Sequence, residues 1–269
     1  RPPPRSTLFP YTTLFRSADF LVYGMGERAI REIASLLDKG GTVEEIKRIP
    51  QIAYISDSAE SFEKERLYLD SYESVLKERS LYAGNFRKVE KESNKYKPSH
   101  IIEPCKGKFV HVNTPFEIPE DGEIDKYYEL PYTRLPHFRY KGKHIPAYEM
   151  IKFSVNTHRG CFGSCSFCTI SAHQGKFVLS RSEESVLREL EIISSSNDFK
   201  GYISDLGGPT ANMYRMKGKE ISICKSCKRD SCIYPVICKN LDHSHRPLLN
   251  LYKRVSQIKI GRASCRERV

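Results

Sequence analysis

Apolar residues arrive along this chain in short blocks with two different periods. Residues 18–23, ADFLVY, are a continuous apolar run that reads as a short buried strand. Behind it Ala29, Ile30, Ile33, Leu36 and Leu37 recur at helical spacing and predict a helix over Glu27–Leu37, stopped by Gly40-Gly41. Gly24-Met25-Gly26 makes the join a β-turn-α unit. Its glycine turn is the geometry that presents backbone N–H groups to an anion, or simply turns tightly. IAYIS, 52–56, predicts another strand. From 58 to 91 charges dominate and the reading is helical, with Leu67, Leu69, Tyr72, Val75 and Leu76 partly buried and the charges on a solvated face.

Between 98 and 149 the pattern breaks on Pro98, Pro104, Pro115, Pro119, Pro131, Pro136 and Pro146. Extended pieces such as FVHVN, 109–113, predict a connector of ordered loops and edge strands, with Cys105 an isolated thiol. Regularity returns at MIKFSVN, 150–156, a predicted strand. Ser182 is an N-cap candidate for a helix over 183–194, with Glu183 and Glu184 in its first turn and Val186, Leu187, Leu190 and Ile193 on one face. GYISDLGG, 201–208, is the next strand, ended by a glycine turn. Strand, loop, helix and strand in this order define a βαβ unit, so the fold class is α/β with a parallel sheet. In such sheets chemistry collects at the carboxyl ends of the strands, where the 157–181 loop and the Gly207-Gly208 turn both fall. PLLNLYKRVSQIK, 247–259, predicts a helix that feeds a further strand.

Length and composition add three constraints. The 269 residues, 39% hydrophobic, suffice for one or two cored domains, and no apolar run reaches membrane-spanning length. No membrane partner is expected. Seven of the nine cysteines fall in two tight clusters, which points to metal chemistry in a reducing, cytoplasmic compartment. Both ends read as translated sequencing adapter: Thr7–Ser17, TLFPYTTLFRS, and Ile260–Val269, IGRASCRERV. Residues 1–17 and 260–269 are therefore set aside as adapter-like artefact, and the expectation is a fragment, inactive and poorly stable by itself. Of the formal +11, the left end carries +3 and the right end +2, so +6 remain, a weak indication for nucleic acid.

The first cluster, Cys161-x3-Cys165-x2-Cys168, supplies three thiolates from one loop. Structural zinc takes four ligands, so zinc here would have to recruit His158 or His173. An iron–sulfur cube held by three cysteines keeps one iron open to another ligand, and the spacing differs from the C-x2-C-x2-C run of ferredoxins. Phe162 and Phe167 flank the thiolates and are expected to limit solvent access. His158, Arg159, His173 and Gln174 are read as satisfying loop carbonyls, with adenosyl positioning or proton relay as the other role such groups take. The second cluster holds Cys224, Cys227, Cys232 and Cys238, four thiolates that close a coordination sphere by count and would take a second [4Fe-4S] cluster or zinc. His243 and His245 are spare candidates, read as surface residues.

On these residues the chain resembles the radical S-adenosylmethionine (SAM) enzymes, with Phe167 at the aromatic position of C-x3-C-x-aromatic-C. PYTRLPHFRY (131–140), IPAYEMIKFSVNTHRGCFGSCSFC (145–168), AHQGKFVLSRSEESVLREL (172–190) and DLGGPTANMY (205–214) are similar to the YgiQ-type members. The resemblance implies a [4Fe-4S] cluster on Cys161, Cys165 and Cys168 whose open iron binds SAM. It implies a flavodoxin- or ferredoxin-type one-electron donor, and cleavage to a 5'-deoxyadenosyl radical that abstracts hydrogen from a substrate no residue pattern here names. The competing class is a non-enzymatic iron–sulfur or zinc module, or an electron-transfer module. Residues 18–97 are similar to the end of a flavodoxin-like, cobalamin-binding-like domain followed by the charged helix, and 150–259 to the start of a radical SAM (β/α) barrel with a cysteine-rich insertion at 224–238. Barrels of this type often carry Gly-Gly-Glu after the second strand to contact SAM. This chain has Gly207-Gly208-Pro209, which leaves a backbone contact but no acidic one, with Thr210 or Asn212 as substitutes.

Overall fold

The computed structural model describes residues 18–163, 165, 167–208 and 211–258, and the backbone at 262–263. Two units divide the chain, one holding the residues up to Glu92 together with Lys97–Phe116, the other Ser93–Tyr96 together with Glu117 onward. Among the described residues no helix is long and apolar enough to cross a membrane.

The first unit contains β1 (Phe20–Val22), α1 (Glu27–Asp38), α2 (Val43–Ile46), β2 (Ile52–Ser56), β3 (Arg66–Tyr68), α3 (Tyr72–Lys77), α4 (Arg79–Glu92), β4 (His100–Cys105) and β5 (Lys108–Val112). The strands form one sheet in the order β1-β2-β5-β4-β3. Ala29, Ile46, Ile49, Ile52 and Tyr54 make its core, with Phe20, Val22, Ile33, Leu36 and Phe116 around them. The glycine turn serves packing: a Cβ on Gly26 would stand 2.7 Å from Val22 Cγ1. Leu67, Leu69 and Val75 are half-buried as expected, whereas Tyr72 and Leu76 on α3 are exposed; 58–71 is loop and strand rather than helix.

Two expectations need correction here. The segment 98–116 is not connector, because β5 lies in the middle of the sheet, paired antiparallel to both β2 and β4. Pro104 is tolerated because it faces Phe109 near the hairpin end, beyond the three residues of β4 that pair with β3. A flavodoxin-like sheet is parallel, whereas β1–β2, β2–β5 and β4–β5 run antiparallel and only β3–β4 is parallel.

The second unit carries α5 (Asp125–Tyr128), α6 (Pro146–Ile151), β6 (Ser154–Asn156), β7 (His158–Arg159), α7 (Ile170–Gln174), β8 (Leu179–Ser180), α8 (Glu183–Ser194), β9 (Tyr202–Ile203), β10 (Asp205–Gly207), β11 (Lys217–Gly218), α9 (Ile221–Lys225), β12 (Leu241–Asp242), α10 (Arg246–Val255) and β13 (Arg262–Ala263). The βαβ unit is present, with β6 and β10 pairing in parallel, Val155 opposite Leu206. Ser182 caps α8, its Oγ accepting from Ser185 N at 3.0 Å. Val186, Leu190 and Ile193 on α8 pack with Val155, Ile203, Leu206, Tyr214, Leu248, Leu251 and Val255. Each of these α8 side chains contributes about 1.5–3 kcal/mol by leaving water. The predicted strand 150–156 is shorter than its apolar run, because Pro146 in the first turn of α6 turns the residues up to Ile151 into helix. Of the adapter-like ends, residues 1–17 lie outside the described residues; at the other end only Arg262–Ala263 is described, paired parallel with β9.

Candidate metal and cofactor site

Residues 157–181 leave the carboxyl end of β6 as one excursion whose entrance and exit are tied together. Thr157 O accepts from Arg181 N at 3.0 Å, and β7 pairs antiparallel with β8. Within it Cys161 N donates to Gly175 O at 3.0 Å, and Gln174 Oε1 accepts from Gly160 N at 3.1 Å. Gly160, at φ +85°, passes so close to Phe177 that a Cβ would stand 2.0 Å from its carbonyl oxygen; only glycine fits.

The three cysteines occupy the tip. Cys161 and Phe162 lie against the small apolar group Val178, Met213 and Met216. Gly163 N donates to Cys161 Sγ at 3.3 Å. A Cβ on Gly163 would meet Cys161 Sγ at 3.2 Å, Cys165 Sγ at 3.8 Å and Met213 Cε at 3.9 Å, so both sulfurs close on the spot this glycine leaves bare. Cys165 is exposed and Cys168 half-buried, with Cys168 N donating to Cys165 O at 3.0 Å. No disulfide joins the eight described cysteines. Among the described residues no three His, Cys, Asp or Glu side chains are drawn into a finished coordination sphere. The donor set suits a thiophilic cluster: three thiols on one loop, an N–H aimed at one sulfur, and a glycine cradle between two of them. Phe167 is 89% exposed, whereas Phe162 packs together with Cys161 on the Val178, Met213 and Met216 group.

The turn after β10 touches this loop directly. A Cβ on Gly208 would stand 2.1 Å from His158 Cε1 and 2.2 Å from Nε2, so the imidazole lies on the glycine backbone. His158 is fully buried, with Nδ1 3.0 Å from Thr157 Oγ1, and burial pushes its pKa down to about 4. The Gly207 carbonyl accepts from Thr157 N at 2.8 Å, and Asn212 Oδ1 would stand 3.3 Å from a Cβ on Gly207. Pro209 and Thr210 lie outside the described residues. Arg159 is taken up by the Tyr128 hydroxyl at 2.8 Å, while His173 is exposed on α7.

The second cysteine group sits in the excursion 219–240, whose neck is the β11–β12 pair. Asn240 clamps that neck: Oδ1 accepts from Glu220 N at 3.0 Å, and Nδ2 donates to Glu220 O at 2.9 Å and to Cys224 Sγ at 3.3 Å. Burial pushes the Cys224 and Cys232 thiols up, and in both the neighbouring thiols of the loop add to the rise. Tyr96, packed edge-on against Phe177, is pushed up to about 12 by burial, with Cys224 and Cys232 adding to it. His243 and His245 are exposed.

Two buried polar groups had no sequence signal. Arg181, 1% exposed, reaches Glu189, Asn156 O at 2.9 Å and Ser185 O at 2.9 Å, and lies over the Tyr128 ring at 4.2 Å. In the first unit Ser58 O can only accept, so His111 Nε2 donates to it at 2.9 Å, and His111 Nδ1 accepts from His100 Nε2 at 2.9 Å. Burial lowers the His111 pKa, in keeping with that neutral ring. The far side of His100 faces Glu63 at 3.5 Å. Both groups join residues distant in sequence, which local pattern does not report.

Comparison with known proteins gives this architecture a family. The family model described as Radical SAM N-terminal matches residues 12–154, more than half of the chain. A UPF0313 protein of Bacteroides thetaiotaomicron is 53% identical over 253 residues, covering 90% of this chain and 41% of its own length. Its counterpart in Porphyromonas gingivalis is 51% identical over 253 residues, covering 93% and 40%, and one in Methanosarcina acetivorans is 38% identical over 265, covering 90% and 36%. The chain belongs to the YgiQ-type radical SAM family. It spans about two fifths of the length of the first two relatives. No solved structure matches it.

Proposed function

We propose that this chain carries the cluster-binding end of a radical SAM enzyme, with Cys161, Cys165 and Cys168 as the protein ligands of a [4Fe-4S] cluster. When bound, the cluster and SAM supply one-electron reductive cleavage to methionine and a 5'-deoxyadenosyl radical. The observation that carries the reading is the seating of Cys161 and Cys165 on either side of Gly163, in the loop leaving β6 of a parallel βαβ unit. That unit is read as the first of a (β/α) barrel.

The chain's own groups have separable tasks. The Gly163 amide favours the thiolate form of Cys161, since a hydrogen bond to a charged form stabilises it. Val178, Met213, Met216 and Phe162 exclude water on one side of Cys161, which strengthens every electrostatic contact there. His158, held neutral by burial, keeps the turn at Gly207 and Gly208 against the cysteine loop, and Gly207-Gly208-Pro209 is the segment proposed to offer backbone to SAM. The electron donor is of flavodoxin or ferredoxin type. Eight described cysteines without a disulfide fit a reducing compartment, the cytoplasm. Activity belongs to the full-length protein.

The test is anaerobic reconstitution of the full-length protein with iron and sulfide, followed by dithionite and SAM. 5'-Deoxyadenosine is expected, and Cys161→Ala/Cys165→Ala/Cys168→Ala abolishes it. A protein that holds its cluster and forms no 5'-deoxyadenosine would refute the enzyme reading in favour of a binding or electron-transfer module.

A further inference from the structure

The excursion 219–240 is held by hydrogen bonds and has little apolar packing of its own. Its regular structure is the five-residue helix α9, and Ile223, Tyr234, Val236 and Ile237 are all exposed. A segment this short with no apolar interior needs a covalent or metal staple to keep one conformation. No disulfide supplies it.

The loop is nevertheless arranged around sulfur. Cys227 N donates to Cys224 O at 3.1 Å, and Arg229 N donates to Cys227 Sγ at 3.4 Å, a turn that sets an N–H on the second sulfur. The other half is closed by Cys238 N donating to Cys232 O at 2.8 Å, with Leu241 N donating to Cys238 O at 3.0 Å. Cys224 Sγ rests on a bare backbone: a Cβ on Gly218 would stand 2.3 Å from it, and Asn240 Nδ2 donates to the sulfur at 3.3 Å. Arg229 spans the loop to Ser231 O at 3.1 Å and Val236 O at 2.5 Å, and its charge acts on Cys232. Asn94 donates to Asp230 O, so the 93–96 segment is fastened to the same loop.

We propose that Cys224, Cys227, Cys232 and Cys238 bind a second metal centre of four thiolates, closed to further ligands, which folds the 219–240 excursion. Each thiol gives up its proton on binding, and Arg229 and the sulfur-directed N–H groups offset the negative charge that accumulates. The centre lies beside the first cysteine loop, because Met216, two residues before Gly218, packs in the apolar group that Cys161 touches. Zinc and an iron–sulfur cluster share this ligand chemistry, and the experiment separates them.

The full-length protein is purified anaerobically, loaded with zinc or with iron and sulfide, and its cysteines are alkylated before and after a chelator, with each site read by mass spectrometry. The expected result is joint protection of Cys224, Cys227, Cys232 and Cys238 and their joint release. The Cys161→Ala/Cys165→Ala/Cys168→Ala variant should retain about one zinc or about four irons per chain. Cys227→Ser/Cys238→Ser in that background should remove at least nine tenths of it. Zinc retained identifies a stapling ion, and iron with sulfide identifies a cluster; either supports the site. Four cysteines that alkylate independently and at full rate in the metal-loaded wild-type protein overturn it, as does a disulfide among them. None of these readouts depends on SAM cleavage, so this site and the radical reading stand or fall separately.

Discussion

Gly208→Ala should separate the two strand ends that frame the site. The added Cβ would lie 2.1 Å from His158 Cε1, 2.2 Å from Nε2 and 2.7 Å from Nδ1, where ordinary contact begins at 3.4 Å. Something must therefore move by more than an ångström. The imidazole cannot absorb the displacement, because it is fully buried and its Nδ1 is held by Thr157 Oγ1. The β10 end then lifts from β6, at the cost of about 1–3 kcal/mol typical of overpacking. The change is local, so hydrogen exchange on peptides covering 153–160 and 203–208 of the full-length protein is the apt assay. Protection there should fall about 5- to 150-fold, since each 1.4 kcal/mol is tenfold. His158→Ala alone should lower protection by leaving a cavity, yet in the Gly208→Ala/His158→Ala double variant the methyl added at position 208 enters that cavity. The double variant should therefore lose less than the two singles together, with a coupling of about 0.5–3 kcal/mol. Additive losses would refute the contact argument.

Two further outcomes follow from buried groups. Glu189→Gln neutralises the carboxylate facing buried Arg181 and should cost about 3–5 kcal/mol, seen as lost exchange protection in α8; a change below about 1 kcal/mol would show that Asn156 and Ser185 suffice for the cation. His158 should make stability fall as pH drops. Its folded pKa of about 4 lies below the 6.5 of the unfolded chain, so from about 6.5 down to about 4 the unfolded state takes up a proton that the folded state refuses. The loss amounts to up to about 3 kcal/mol. Urea midpoints at several pH values should fall less steeply for His158→Gln than for the unchanged protein, and parallel curves would exclude His158 as the cause.

The legible parts were those whose signal is local. IAYIS at 52–56 is β2 residue for residue, and Ser182 with Glu183 and Glu184 marked the start of α8 because capping is written in adjacent residues. The parallel β6–β10 pair followed from element order. Expectation failed where distant contacts decide. Proline count hid β4 and β5, because Pro104 is harmless once its unused donor side has no strand to meet. Apolar content made 150–156 look like continuous strand, while Pro146 commits its first residues to helix. Phe167 was expected to shield sulfur on sequence proximity, yet it points into solvent. The Arg181 cluster brings together Tyr128, Asn156, Ser185 and Glu189 from three elements, α5, β6 and α8, and no short window of sequence contains them.

That cluster bears on how the loop carrying Cys161, Cys165 and Cys168 is held. Arg181 N holds Thr157 O, its guanidinium holds Asn156 O, and the Tyr214 hydroxyl donates to its carbonyl at 2.9 Å. The cysteines therefore sample positions as members of a short ring with a fixed origin, not as points on an open chain. Closing a ring costs conformational entropy that grows with the logarithm of its length. Here that cost falls on folding, so a metal held by the three proposed ligands would have only the few residues of the tip left to order.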